Sequence, residues 1–249
     1  MKFGRQLGFY SVAALALATG SAGHAAAVGT QESREYIQAY ATCAVRYNHD
    51  RAAQAILSDL GIDALEHRFS DIFVHAPLAY VAGCRELVMR FRVAVTMSGE
   101  PLRFALAEQL VAADFKDKPA AGLSQSAALT HRDPPNAEAR DRLLASLSNK
   151  ARRERVRSEY EAQLGLAWLS RYGECVVRSD PASSQAWIVA AEGSPAGDAA
   201  LQALQPALGT CLRAGDQLKF SKEVLRGTLA VNYFRLAHAP NLSSPGKDH

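Results

Sequence analysis

The sequence predicts a mainly α-helical protein made of a tandem duplicated helical module, with one internal disulfide per module. Three observations carry this. An export leader places four cysteines in an oxidising compartment, a block around the first cysteine recurs around the third, and apolar residues are spaced by three and four along much of the chain. The 249 residues are 48% hydrophobic and 21% charged, which excludes a disordered chain or a collagen-like fibre. The formal net charge of +3 falls to +1 without the leader cations Lys2 and Arg5, so no basic face for nucleic acid is expected.

The leader occupies residues 1–27. Lys2 and Arg5 precede an apolar run from Leu7 to Ala18, followed by small residues and the Ala25-Ala26-Ala27 stretch, which is the order of a cleaved secretory signal peptide. That run is short of the roughly 20 residues a spanning helix needs, so no integral membrane span is expected after cleavage. No cysteine near the cut would carry a lipid. Arg outnumbers Lys 21 to 7 and alanine makes up 46 residues, a bias associated with GC-rich bacterial genomes, so a periplasmic or secreted location is expected.

In that compartment Cys43, Cys84, Cys175 and Cys211 read as two disulfides. There is no C-x-x-C pair and no histidine at ligand spacing, so neither a metal nor a cofactor is expected. Spacing alone leaves three pairings open. The duplication chooses among them. Tyr40-Ala41-Thr42-Cys43-Ala44-Val45-Arg46 aligns with Tyr172-Gly173-Glu174-Cys175-Val176-Val177-Arg178 at an offset of 132, and Leu102-Arg103-Phe104-Ala105-Leu106-Ala107 aligns with Leu225-Arg226-Gly227-Thr228-Leu229-Ala230. If both modules share one fold, the same bond closes each: Cys43 with Cys84 and Cys175 with Cys211. Each bridge would stabilise its module by roughly 4 kcal/mol in the chain-entropy model.

The repeated residues read as structural. Arg46, Arg103, Arg178 and Arg226 are expected to tie their own helices to carboxylates or helix C-termini, in preference to forming a doubled anion site. Tyr40 and Tyr172, one turn before a cysteine, are expected to cover the disulfides.

Element by element, residues 28–115 form the first module. A helix bears Cys43, Asp50 caps the next turn, and further helices lead to Cys84. Arg90 to Met97 partly alternates, as does the shorter Gln217 to Phe220 in the second module, so a small two-stranded β element would fit there. Residues 116–136, with Pro119, Pro134 and Pro135, read as a linker, and residues 137–167 as a long connecting helix through Leu143, Leu147, Val156, Tyr160 and Leu164. Arg152, Arg153, Arg155 and Arg157 interleave with Glu154, Glu159 and Glu161, the pattern of a solvated face. In the second module, residues 168–239, Asp180-Pro181, Ser194-Pro195 and Ser221 mark helix starts. The tail, residues 240–249, has little to bury and is expected to be disordered.

The block Cys175-Val176-Val177-Arg178-Ser179-Asp180-Pro181, followed by Cys211 and Leu225-Arg226-Gly227-Thr228-Leu229-Ala230, resembles a C-V-V-R-x-D-P … Cys … L-R-G-x-L-A module of uncharacterised exported proteins from alphaproteobacteria. The first module departs from it at Tyr47-Asn48-His49. The resemblance implies export and this fold and brings no activity.

No G-x-S-x-G, H-E-x-x-H or phosphate-cradling glycine loop is present. His49, His67, His75 and His131 are scattered, and the densest titratable cluster is Asp63, Glu66, His67 and Asp71. No catalytic residue is therefore nominated. The expected function is that of a non-enzymatic exported protein acting on another envelope protein or component. The alternatives are an enzyme with its site between the modules, or a small-ligand or lipid carrier. Sequence does not set the oligomeric state.

Overall fold

Capping chemistry decides where most helices begin. The computed structural model describes residues 31–73, 99–212 and 220–239. In it Asn136, Asn149, Asp180, Ser194 and Ser221 each accept, through the side chain, the backbone N–H three residues on, and Pro181 and Pro195 fill first-turn positions whose N–H needs no partner. The described residues form eight α-helices and no strand: α1 (Gln31–Leu57), α2 (Ile62–Arg68), α3 (Glu100–Phe115), α4 (Ala137–Ser146), α5 (Lys150–Ser179), α6 (Pro181–Val189), α7 (Pro195–Thr210) and α8 (Lys222–Ala237). The segments where a β element was expected, Arg90 to Met97 and Gln217 to Lys219, lie outside the described residues, as do the leader, the tail and His75.

Two helices make the centre. α3 and α8 pack on each other, α1 lies on α3, α5 and α6 lie on α8, and α7 covers α6. From Leu225 to Leu236, α8 is buried on nearly every side, which is the condition of a helix surrounded by others. Tyr36, Tyr40, Leu102, Leu106, Leu110, Leu229, Tyr233 and Phe234 belong to a single core that draws on both halves of the chain.

Two glycines allow this closeness. A Cβ at Gly227 on α8 would collide with Cβ, Cγ and Cδ2 of Phe104 on α3. A Cβ at Gly173 on α5 would lie 2.6 Å from Asn232 Nδ2 and 2.7 Å from Thr228 Cγ2 on α8. Any larger residue at either position would have to push the helices apart.

The aligned sequence blocks show some structural parallels. The backbone of α1 leaves helical geometry at Asn48 (φ −138°, ψ 45°), and α5 ends at Asp180 (φ −144°, ψ 80°), 132 residues later. The break in α1 thus falls at Asn48 and not at Asp50, where the sequence placed a cap, and an Asx residue stands at both breaks. Tyr40 donates its hydroxyl to the Ile72 carbonyl (2.7 Å) and Tyr172 to the Leu208 carbonyl (3.0 Å). Arg226 donates to the carbonyls of Ile188 (2.6 Å) and Ala190 (2.7 Å) at the end of α6, and Arg103 points to Leu60 O (3.5 Å) just beyond α1.

Two expectations change. The long helix expected from Ala137 is broken at residues 147–149, where the Asn149 side chain takes the Arg152 N–H and starts a new helix. α4 folds back on α5 as a hairpin, with the Arg140 guanidinium 4.3 Å from the centre of the Tyr160 ring. Arg46 also differs from Arg178, with which it aligns in sequence: it is exposed, whereas Arg178 is largely covered and bonded to Glu174 on its own helix (2.7 Å).

Cys175 and Cys211 form a disulfide across 36 residues. Cys43 is disulfide-bonded as well, and Cys84 lies outside the described residues. Tyr172, one turn before Cys175, stacks on Trp168 with ring centres 4.7 Å apart. Cys175→Ser should lower the melting temperature of the oxidised protein by removing roughly 4 kcal/mol of loop-closure stabilisation, and leave the reduced protein nearly unchanged. Equal effects with and without reductant in parallel thermal melts would refute a stabilising bridge.

Candidate functional site

Residues 116–136 contain only a short 3-10 turn, Leu123–Gln125, so most of their backbone polar groups must find partners elsewhere. Side chains from α5, α6 and α8 supply many of them. Arg178 donates to the carbonyls of Leu123 (3.3 Å), Ser126 (2.8 Å) and Ala127 (2.7 Å). Arg171 binds Arg132 O (3.0 Å), Arg235 binds Thr130 O (2.7 Å), and Gln185 binds Lys116 O (3.2 Å). The Tyr233 hydroxyl accepts the Ala120 N–H at 3.0 Å. Leu123 and Leu129 insert into the core between these fastenings.

Glu174 is the hub. It accepts from the Leu129 N–H (3.1 Å), from Arg178 Nε (2.7 Å) and from His131, whose other ring nitrogen lies 2.8 Å from Ser170 Oγ. Burial pushes the Glu174 carboxyl up, but these three donors outweigh it and hold the group well below the usual range, at about 2.

Ser170, His131 and Glu174 have the composition of a serine-hydrolase triad, yet not its surroundings. Ser170 and Glu174 stand one turn apart on the same helix. The backbone N–H groups around Ser170 are consumed by the helix's own i→i−4 bonds, so none is free to stabilise an oxyanion. The three residues are therefore best understood as the fastening of the linker to α5.

Beside that fastening lies a recess of about 30 Å³ lined by Glu100, Arg103 and Phe104 of α3, Arg132 of the linker, Leu166, Leu169 and Ser170 of α5, and Thr228, Val231 and Asn232 of α8. Arg132 bonds Glu100 at 3.1 Å. Arg103 lies 3.8 Å from Glu100 and 3.8 Å from Asp59, and Asp59 also pairs with Arg235 at 3.1 Å. Burial raises the Glu100 carboxyl above its ordinary range, Arg132 opposes the shift and Asp59 adds to it. Among the described residues, Arg103 Nε, Thr228 Oγ1 and Asn232 Oδ1 are buried without a hydrogen-bond partner.

Of the repeated residues, Arg103 reaches this recess and Arg178 reaches the linker. Tyr40, Tyr172, Arg46 and Arg226 do not contribute to either. The titratable cluster nominated from sequence is dispersed: Asp63 and His67 are exposed, Asp71 pairs with Arg51 (3.1 Å), and Glu66 accepts the Gly99 N–H (3.1 Å). His49 bonds Asp114 at 2.8 Å. No metal-binding group of His, Cys, Asp and Glu exists among the described residues.

Sequence reasoning missed Glu100, His131, Arg132, Ser170, Glu174, Thr228, Asn232 and Arg235. Ser170, Glu174 and Arg178 at successive steps of four, and Thr228 with Asn232, do signal one helix face each. Nothing local connects them to His131 or Arg132.

Compared with known proteins, the chain matches no family model, no curated protein and no solved structure.

Replacing Glu174 with Gln should free the linker. We expect a loss of about 2–3 kcal/mol at neutral pH, as for hydrogen bonds to a charged group, and faster tryptic cleavage within residues 116–136. The folded carboxyl titrates below its unfolded value of 4.5, so its contribution is complete above that pH and is lost as pH falls towards about 2. Urea unfolding across this range should show the wild-type advantage over Glu174→Gln shrinking with acid. An advantage undiminished at pH 2 would contradict the clamp.

Proposed function

We propose that this is an exported protein of two tandem helical modules that acts by binding another component of the cell envelope, not by turning over a substrate, and that the α4–α5 hairpin is its binding element. The carrying observation is the hairpin's lack of internal purpose. α4 has no buried residue, and α5 has none before Ala167. Leu143 and Leu164 are 46% and 41% exposed. Two helices that bury so little of an apolar stripe gain little from folding alone.

Charge suggests what covers it. Lys150, Arg152, Arg153, Arg155 and Arg157 surround the hairpin tip with only Glu154 among them. Arg157 pairs with Glu154 (2.8 Å) and Arg153 bonds the Leu147 (2.7 Å) and Ser148 (2.9 Å) carbonyls, while Arg152 and Arg155 have no partner among the described residues. The fitting occupant is an acidic protein surface with apolar residues beside it.

Duplication is supported by the repeated sequence blocks, the matching breaks at Asn48 and Asp180, the matching tyrosine–carbonyl bonds, and the meeting of Phe104 with Gly227, which occupy the same position of the repeat. Export is supported by the leader pattern and by the disulfide, since such bonds persist in oxidising compartments. Among the described residues no helix is long and apolar enough to cross a membrane.

A photoreactive crosslinker placed at position 155 in the native host should yield one discrete adduct in the envelope fraction. Arg152→Glu combined with Leu164→Ser should abolish it and leave the melting temperature unchanged. An absent adduct, or one indifferent to those substitutions, would overturn the assignment.

A further inference from the structure

Where α1, α3 and α8 meet, one acid is left over. Glu108 of α3 is 9% exposed and faces Gln38 from α1 and Arg226 from α8. Two further carboxylates act on it: Glu223 of α8, and Glu192 from the turn after α6, a helix that carries no titratable side chain. Glu223 in turn holds Arg34 of α1 at 3.6 Å, so three carboxylates share two guanidinium groups. A buried charge needs a close partner and hydrogen bonds, and Glu108 has neither in full. Gln38 Nε2 donates to it at 3.2 Å, and Arg226 Nε stops at 3.6 Å.

That gap is informative because Arg226 Nε is itself buried without a hydrogen-bond partner among the described residues. The same guanidinium donates through Nη2 to Ile188 O (2.6 Å) and Ala190 O (2.7 Å) at the end of α6. An ionised Glu108 would accept the idle Nε–H and close the pair, since charge-assisted bonds of this kind run about 2.7–2.9 Å. An open pair beside an unused donor is the geometry of an uncharged carboxyl. The electrostatics agree. Burial pushes the Glu108 carboxyl up, Arg226 and Gln38 pull it back, and Glu192 and Glu223 add to the rise, which leaves it at about 7.

We propose that Glu108 is a proton switch that sets how firmly the end of α6 is held. Protonated, it leaves Arg226 to the two carbonyls of α6. Ionised, it draws Nε and with it the guanidinium towards α3, the bonds to Ile188 and Ala190 lengthen, and the last turn of α6 frays. The proton exchanges with water at the edge of a side chain that stays 11% exposed. The fold therefore tightens in mild acid and loosens above neutrality. The switch depends neither on the hairpin nor on what binds it.

NMR of the side-chain carboxyl carbons in the oxidised wild-type chain should give Glu108 a midpoint near 7. Exchange of the Ala190 amide, which donates to Ala186 O at 3.2 Å, should quicken about tenfold from pH 5 to pH 8 after correction for its intrinsic pH dependence. In Glu108→Gln, which cannot ionise, it should stay level. The folded carboxyl titrates above its unfolded value of 4.5, so its stabilisation is complete below that pH and is lost as pH rises through about 7. Relative to Glu108→Gln, the wild-type unfolding constant should accordingly rise about a hundredfold from pH 4 to pH 8. A midpoint in the ordinary carboxylate range would overturn the proposal. So would a midpoint near 7 with Ala190 exchange indifferent to pH, or a variant whose exchange follows the wild type. The wild-type measurements decide the matter even where the variant fails to fold.

Discussion

The crossing of α3 and α8, on which the rest of the packing depends, rests on one contact, the Cβ and ring of Phe104 against the bare backbone of Gly227. Helices that meet this closely cannot slide or rotate past one another, because a one-residue slip turns a side chain by about 100°. The same registration aligns Glu100 and Arg103 with Thr228 and Asn232 at the recess. It also places Glu108 of α3 beside Arg226 of α8, at 3.6 Å. Gly173 sets α5 against α8 in the same way, which brings Ser170 and Glu174 to the linker.

Two buried glutamates show how local donors decide the outcome of burial. Burial raises both. Glu108 has Gln38 at 3.2 Å and the Arg226 guanidinium at 3.6 Å, and its carboxyl is pushed up to about 7. Glu174 has His131, a backbone N–H and an Arg178 nitrogen at bonding distance, and ends at about 2. The second arrangement is what fastening an irregular segment demands, since a carboxylate that stays ionised can hold several donors at once. Arg178, Arg171 and Arg235 complete the task from the other side by bonding carbonyls.

What the sequence reveals is what short spacing encodes. The starts at Asp180, Ser194 and Ser221 are legible because a cap acts within three residues, and the mainly helical class follows from apolar spacing. The bridge between Cys175 and Cys211 was reached through the repeat, while Cys84 is beyond the described residues. The hairpin was misread because Leu143, Leu147, Val156 and Tyr160 continue one apolar stripe, and a single Asn149 with its neighbours was enough to interrupt the helix. The linker looked passive because the groups that fix it lie about 40 to 115 residues away in the chain, on α5, α6 and α8. The recess joins four segments by tertiary packing alone, and no pattern along the chain announces that.

The crossing itself is open to a direct test through the sign of one substitution. Alanine is favoured over glycine inside a helix by about 1 kcal/mol, so Gly227→Ala would stabilise α8 if nothing stood opposite. Against Phe104, whose own Cβ would lie 2.2 Å from the new methyl, it should instead cost about 1–3 kcal/mol in urea unfolding, and with Phe104→Gly already present, which removes that Cβ and the ring, the same change should become neutral or stabilising. A stabilising Gly227→Ala in the wild-type background, or an equal cost with and without the Phe104 side chain, would contradict the account.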